Sequence, residues 1–159
     1  VIELETVDLP YGETPFTSLE LAASAKQWGN DLLAWNIGID WINDLPRYTF
    51  ASNDFTVKNI GTEPIDPRYM PLKITLRGSF ASYVQIINGT TGDAFRLNRG
   101  LSTSDTLVLD GVSYLLNGQS VTGQTKNKLI KLAKGDNRFI VSGGTVHSIS
   151  IETPFYFIQ

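Results

Sequence analysis

Apolar and polar residues alternate along much of the second half of this chain. A period of two places successive side chains on opposite faces of a β-strand. The stretch LKITLR alternates strictly, and further β-rich runs follow at short intervals: 72–77, 80–87, 94–97, 106–116, 138–143 and 146–152. These intervals leave little room for the crossover helices that parallel strands need. The pattern therefore predicts an all-β fold, an antiparallel β-sandwich of jelly-roll type.

Glycine-bearing dipeptides separate these runs. Asp110-Gly111 predicts a hairpin with a type I′ turn, because such a turn needs positive φ at both central residues. Asn117-Gly118 follows one strand later, and Gly143-Gly144 lies between the last two runs. The closing residues 155–159, FYFIQ, are too apolar for an exposed tail, so we expect them to pair with the sheet.

The first 70 residues give a weaker pattern. We expect a strand over 14–24 and further strands over 48–61. The stretch 62–71 contains three prolines and predicts an extended connector.

Residues 25–45 are compatible with two structures. Apolar residues at helical spacing allow one short helix near 25–35, but glycines interrupt that spacing. We favour a strand over 33–39.

Length and composition narrow the class of protein. The 159 residues favour one β-sandwich domain spanning 1–159. Apolar residues make up 42% and charged residues 18%, which suits a packed core rather than a disordered chain. The net charge of −3 argues against a dedicated nucleic-acid binder. No apolar run approaches the ~20 residues that a membrane-spanning helix needs, so no membrane partner is expected.

Few residues suit catalysis or metal binding. The single histidine, His147, lies within a predicted strand, and the chain has neither a G-x-S-x-G motif nor a cysteine. A metal site would therefore need oxygen ligands, as Ca²⁺ prefers, but no D-x-[DN]-x-[DN] loop is present. We expect no enzymatic activity, no catalytic residue, no metal and no cofactor.

Two further patterns favour structure over chemistry. The stretch 118–125, GQSVTGQT, resembles a phosphate-binding loop, but Gln124 replaces the lysine that neutralises the phosphates. Paired carboxylates for glycoside hydrolysis could come from Glu3 with Glu5 or from Asp105 with Asp110. We interpret those carboxylates as residues of solvated strand faces and turns.

A cluster of basic residues lies between positions 126 and 138. It comprises Lys126, Lys128, Lys131 and Lys134, with Arg138 close behind. Nucleic-acid binding would require nearby aromatic platforms, and 124–134 contains none. We expect instead a solvated strand or an edge strand, where lysines discourage aggregation.

The tryptophans leave two readings open. Trp28, Trp35 and Trp41 could stack on sugars or fill an interface if exposed, whereas burial would make them core residues, which we favour. The tripeptide Asn88-Gly89-Thr90 matches a glycosylation acceptor, but a turn uses the same residues.

The segment 132–143, LAKGDNRFIVSG, concentrates charge and glycine between two apolar runs. We interpret Gly135 to Asn137 as a turn that begins the next strand. Gly135 is expected to supply positive φ, and Asp136 or Asn137 to bond back to the main chain.

The order of these motifs resembles the C-terminal domain of phage distal tail proteins, the siphovirus-type tail component family. The resemblance spans roughly 48–157. It runs through FTVKNIGTEPIDPRY (55–69), ITLRG (74–78), VQIINGTTGDAFRL (84–97), LVLDG (107–111), LNG (116–118), LIKLAKGDNRFIVSGG (129–144) and VHSISIETPFYF (146–157). Its most recognisable part is L-x-x-G-x-N, at Leu132, Gly135 and Asn137.

The resemblance implies a galectin-like β-sandwich, attached in the family to an N-terminal domain that forms rings. It implies a non-enzymatic component of a phage or prophage tail tip or baseplate, located in the virion. Expected partners are the tail tube and the tip or receptor-binding proteins. Most of the ring-forming part lacks a counterpart here, so we expect the C-terminal part of a longer protein, monomeric by itself. The alternative function is a carbohydrate-binding module that recognises cell-surface glycans.

Overall fold

A computed structural model of the protein describes residues 5–6, 11–14, 16–24, 46–127 and 129–158. The described chain is mostly antiparallel β-sheet with one short α-helix, and its inward side chains form one core. The predicted all-β antiparallel sandwich is thus confirmed. Residues 25–45 lie outside the described residues, and with them the expected helix near 25–35 and strand over 33–39. A single domain over 1–159 stays a prediction.

Twelve strands, one α-helix and one 3₁₀ helix make up the described structure. In chain order they are β1 (Glu5–Thr6), β2 (Tyr11–Glu13), α1 (Ser18–Ser24), β3 (Thr49–Phe50), β4 (Asp54–Asn59), β5 (Lys73–Asn88), β6 (Asp93–Leu97), β7 (Leu107–Asp110), β8 (Ser113–Leu116), β9 (Gln119–Ser120), the 3₁₀ helix (Thr122–Gln124), β10 (Thr125–Asn127), β11 (Gly135–Glu152) and β12 (Tyr156–Ile158).

Two long strands, β5 and β11, pair with each other and belong to both layers of the sandwich. In the first layer, 84–88 of β5 pairs with β6, and 135–142 of β11 pairs with β4, which gives the order β10-β6-β5-β11-β4. In the second, 73–76 of β5 pairs with β7, and 149–150 of β11 pairs with β3, which gives the order β9-β8-β7-β5-β11-β3.

Irregular pairing near the middle of β5 and β11 lies where one layer gives way to the other. The register shifts between Ser142 and Gly144 and again between Val146 and Ser148. Buried positions on β11 change parity at the same places, which is what β-bulges do. The prediction of separate strands on either side of Gly143-Gly144 was therefore wrong, because that dipeptide lies in a bulge rather than a turn. The runs 72–77 and 80–87 are likewise one strand.

Asn53 braces this bulge from the loop before β4. Its Nδ2 donates to the carbonyls of Val141 (2.9 Å) and Gly144 (2.7 Å), and its Oδ1 accepts from the Val146 N–H (3.0 Å). One side chain thus satisfies three backbone groups that the irregular ladder would leave without partners.

The helix α1 corrects the strand predicted over 14–24. Thr17 and Glu20 form a capping box at its start: the Thr17 N–H donates to Glu20 Oε2 (2.8 Å), and the Glu20 N–H approaches Thr17 Oγ1 (3.4 Å). Ser18 then ties the helix to the sheet by donating from Oγ to the Ile151 carbonyl (2.6 Å). The signal T-x-x-E was present in the sequence, and it outweighs the apparent strand pattern.

The two hairpin turns differ in type. At the first, Asp110 pairs with Ser113, and of the central residues only Gly111 has positive φ (60°). That pattern fits a type II′ turn, so the predicted type I′ turn is wrong there. Asn117 (φ 49°) and Gly118 (φ 81°) are both positive and form the type I′ pattern one turn later.

The closing segment pairs as expected, although with a second, smaller sheet. β12 pairs with β2, which pairs with β1. Phe155 and Tyr156 are fully buried, and the Tyr156 hydroxyl donates to Glu13 Oε2 (2.8 Å). These contacts hold the end of the chain against the core.

Candidate ligand-binding face

The most recognisable sequence motif, L-x-x-G-x-N, is held in place by hydrogen bonds of the buried Asn137 side chain. We call this hydrogen-bonded motif the lock. The Asn137 Oδ1 accepts from the Ala133 N–H (2.7 Å) and from Asn88 Nδ2 (3.1 Å). Its Nδ2 donates to the carbonyls of Ala133 (2.8 Å) and Gly135 (3.1 Å). Gly135 has φ of 81°, so its predicted positive φ is confirmed, as is the bond from Asn137 back to the main chain. The predicted turn over Gly135 to Asn137 is wrong, because all three residues already belong to β11 and pair with β4.

Leu132 anchors the same segment from the other side. It is buried, and its backbone exchanges hydrogen bonds with Ile65 in the proline-rich connector, at 2.8 and 3.0 Å. The charge of this segment, by contrast, is on exposed side chains at Lys134, Asp136 and Arg138. The segment therefore holds loops together and offers no reactive group in its interior.

A polar row crosses the outer surface of the first layer. Successive cross-strand partners on β10, β6, β5 and β11 are Lys126, Arg96, Gln85 and Ser142. We call these four residues the outer row. Neighbouring strands lie about 4.8 Å apart, so the row extends over about 14 Å. Lys126 is exposed and the other three are half-buried.

Arg96 is held rigidly within this row. Its guanidinium carbon lies 4.0 Å from the centre of the Tyr83 ring, and its Nε donates to Asn98 Oδ1 (2.9 Å). Contact with an aromatic face and a directed hydrogen bond both restrict a long, flexible side chain. The two terminal nitrogens make no hydrogen bond or ion pair to any described residue. Arg96 thus presents an oriented, unpaired pair of donors.

A short apolar row lies directly beside the outer row. Ala94, Ile87 and Ile140 are its cross-strand partners, and Ile140 is 37% exposed. Beyond it, Asp54 on β4 pairs with Arg138 at 2.6 Å, and this hydrogen bond lowers the pKa of Asp54. The charge of Arg138 is therefore compensated, whereas the outer row carries two cations with no carboxylate partner among the described residues.

His147 has no catalytic setting. It is an exposed residue at the second register shift of β11, between paired Val146 and Ser148. The described residues place no serine–acid pair in hydrogen-bond contact with it. Nor do they contain any group of three or more His, Cys, Asp or Glu side chains able to hold a metal ion.

The carboxylates singled out in the sequence serve the turns. Asp105 accepts from the Ser102 N–H (2.9 Å) and from Asn117 Nδ2 (2.8 Å), and these bonds lower its pKa. Asp110 is an exposed residue at the end of β7. Glu3 and the side chain of Glu5 lie outside the described residues.

The sequence 118–125 does not form a phosphate-binding loop. It runs from β9 through the three-residue 3₁₀ helix into β10, between antiparallel pairings. A phosphate-binding loop instead connects a strand to a long helix.

The basic run is dispersed along the surface. Lys126 lies on β10, which pairs on one side with β6 and has no second partner among the described strands, as expected for an edge. Lys131 and Lys134 lie in the loop that leads to the lock, and Lys128 is outside the described residues. Of the described lysines in this run, Lys126 belongs to the outer row.

The remaining candidates are the glycosylation tripeptide and the three tryptophans. Asn88 is fully buried and donates to the Lys131 carbonyl (2.7 Å), so the glycosylation tripeptide serves as a turn. Trp28, Trp35 and Trp41 lie outside the described residues. The sequence offered no signal for the outer row, because its members come from four strands whose register is set by tertiary pairing.

Comparison with known proteins adds no identification. No protein-family model matches the chain, and no curated protein matches it. Within the described ranges, no helix is long and apolar enough to span a membrane.

Proposed function

We propose that this protein is a non-enzymatic structural component of a phage or prophage tail tip, linking the tail tube to proteins that recognise the host. The observation that carries the proposal is the placement of the motifs behind the family resemblance. They follow one another along β4 to β12, and Leu132, Gly135 and Asn137 together fix the segment that leads into β11.

The chemistry of the motif residues supports this proposal. An asparagine that bonds to five groups beside a glycine of positive φ is specific to one loop geometry, since neither residue can be replaced without loss. This requirement for an asparagine and a glycine at fixed positions explains why proteins that share this fold would also share the spaced motif. Fold alone does not define function, so the tail role needs its own test.

Immunogold electron microscopy would test the proposal directly. Antibodies against the 159-residue chain should label the distal end of tails in particles induced from the source strain. Labelling absent from the particles, or distributed along the capsid, would contradict the proposal. In the genome, a neighbouring tape-measure gene is expected, whereas a cluster of polysaccharide-degrading enzymes would argue against a tail role.

A further inference from the structure

We propose that the outer row binds an acidic glycan, with Arg96 and Lys126 contacting its anionic groups. This inference concerns a ligand and goes beyond the structural role proposed above. It rests on the surface of the first layer alone, so it would survive if the protein proved to belong to another kind of assembly.

The charge of the row points to an anionic ligand. Arg96 and Lys126 are direct cross-strand partners, and like charges placed opposite each other destabilise a sheet. The chain as a whole carries a net charge of −3, so this pair departs from the general balance. An oxyanion lying between the two side chains would relieve their repulsion.

The guanidinium of Arg96 is oriented before any ligand binds to the outer row. Tyr83 and Asn98 already restrict its guanidinium, and its terminal nitrogens have no described partner. A planar fork of donors matches a carboxylate or phosphate group through two parallel hydrogen bonds. Because the side chain is ordered before binding, less conformational entropy is lost when the ligand arrives.

The residues around the cations favour a sugar chain. Gln85 and Ser142 continue the row with groups that both donate and accept, as sugar hydroxyls require. The adjacent Ala94, Ile87 and Ile140 offer a shallow apolar strip for the C–H surface of a pyranose ring. The row and the strip together thus match a ligand with one polar edge and one apolar face.

Nucleic acid fits this surface less well. Two unpaired cations are few beside the 6–10 phosphate contacts typical of nucleic-acid binders. The face of Tyr83 toward Arg96 is already occupied by the guanidinium, which leaves less aromatic surface for base stacking.

Titration calorimetry with tetragalacturonate provides the test. The 159-residue chain should bind this acidic tetramer saturably, with affinity that falls as salt is raised. Arg96→Ala and Lys126→Ala should each weaken binding by about tenfold or more, since each removes charge-assisted hydrogen bonds. Lys73→Ala makes the same change of charge in the second layer and should alter affinity by less than about twofold.

Thermal melting without ligand supplies a second, independent readout. Lys126→Ala removes the like-charge contact with Arg96 and should raise the melting temperature by about 1–2 °C. Lys73 instead lies opposite Asp110 and Glu152, so Lys73→Ala should lower it. A lower melting temperature for Lys126→Ala would contradict the charge argument.

Several results would overturn the proposal. They are the absence of saturable binding, equal binding of neutral maltotetraose, or equal loss of affinity in Lys73→Ala. Tetraglutamate that binds as tightly as tetragalacturonate would show a site for acidic peptides instead of glycans. A tail-tip location with no glycan binding would refute this inference and leave the structural role standing.

Discussion

Three asparagines are buried near strand ends: Asn59 and Asn88 are the last residues of β4 and β5, and Asn137 is the third residue of β11. Each amide bonds to main-chain groups of a neighbouring loop: Asn59 to Gly61 and Glu63, Asn88 to Thr90 and Lys131, and Asn137 to the segment around Gly135. Where the backbone leaves a sheet and is covered by other residues, its N–H and carbonyl groups lose hydrogen bonds both to the neighbouring strand and to water. The amides replace those partners, so a few polar residues permit tightly packed loops.

Asn137 should be the most sensitive of these residues. Asn137→Ala leaves the Ala133 N–H and carbonyl without the Asn137 side chain and removes one of the two acceptors of the Asn88 Nδ2. We therefore expect a loss of about 2–4 kcal/mol in the free energy of unfolding. Asp136→Ala alters the exposed neighbour and should change it by less than about 0.5 kcal/mol. Urea unfolding measures both. Equal effects of the two substitutions would contradict the lock.

Tyr48 gives the protein a defined response to alkaline pH. Its side chain is buried, with the hydroxyl donating to the Lys58 carbonyl (2.7 Å), and burial raises the pKa of that hydroxyl. The folded state then retains a proton that the unfolded state releases near its ordinary value of 10.0. Stability from this group is therefore complete below about pH 10 and is lost as the pH rises further.

Substitution of Tyr48 by Phe separates the two contributions. Tyr48→Phe removes this hydrogen bond and should lower the free energy of unfolding by about 1 kcal/mol at neutral pH. Above pH 10 the stability of the variant should decline less steeply than that of the unaltered protein. Tyr69→Phe, at a position that is 68% exposed, is the matched control and should follow the unaltered protein. Denaturant unfolding between neutral and alkaline pH provides the measurement. A slope unchanged by Tyr48→Phe would refute this assignment.

At the scale of elements, the bulge in β11 depends on the absence of a side chain at Gly144. A Cβ atom there would lie 2.1 Å from the Ser79 carbonyl oxygen and 2.7 Å from Phe80 Cα, both backbone atoms of β5. Gly144→Ala should therefore destabilise the protein by about 3 kcal/mol, because the two long strands must separate locally. At Gly89 a Cβ would meet only the Arg138 carbonyl at 3.6 Å, so Gly89→Ala should be close to neutral. Thermal melting of both variants tests the contrast.

These elements also show how far sequence reasoning reaches. Alternation predicted the strands, and the positive φ of Gly135 was predicted correctly, since both depend on local periodicity or backbone conformation. Gly143-Gly144 looked like a turn because local sequence cannot distinguish a turn from a bulge within a longer pairing. The helix at 18–24 was missed although Thr17 and Glu20 signalled its start. The outer row depends on register between distant strands, which no local pattern specifies.

At the scale of the whole molecule, the two layers share β5 and β11 and should unfold together. Ile86 lies in the first layer and Ile74 in the second, and both are buried. Ile86→Val and Ile74→Val should each cost about 1 kcal/mol and lower the same single transition. Amide NMR signals from β6 and β7 should disappear at the same urea concentration. Loss of one layer before the other would show that the shared strands do not couple them.

The continuity of β5 and β11 also has a mechanical meaning. Two sheets joined only by side-chain packing can slide over each other under load, since their interface is a plane of weak, non-directional contacts. Here the backbone itself crosses from one layer to the other twice, and the bulge at Gly144 brings the two crossings into backbone contact. Sliding would require stretching covalent chain or breaking ladder hydrogen bonds. The continuous backbone of β5 and β11 therefore resists sliding of one layer over the other.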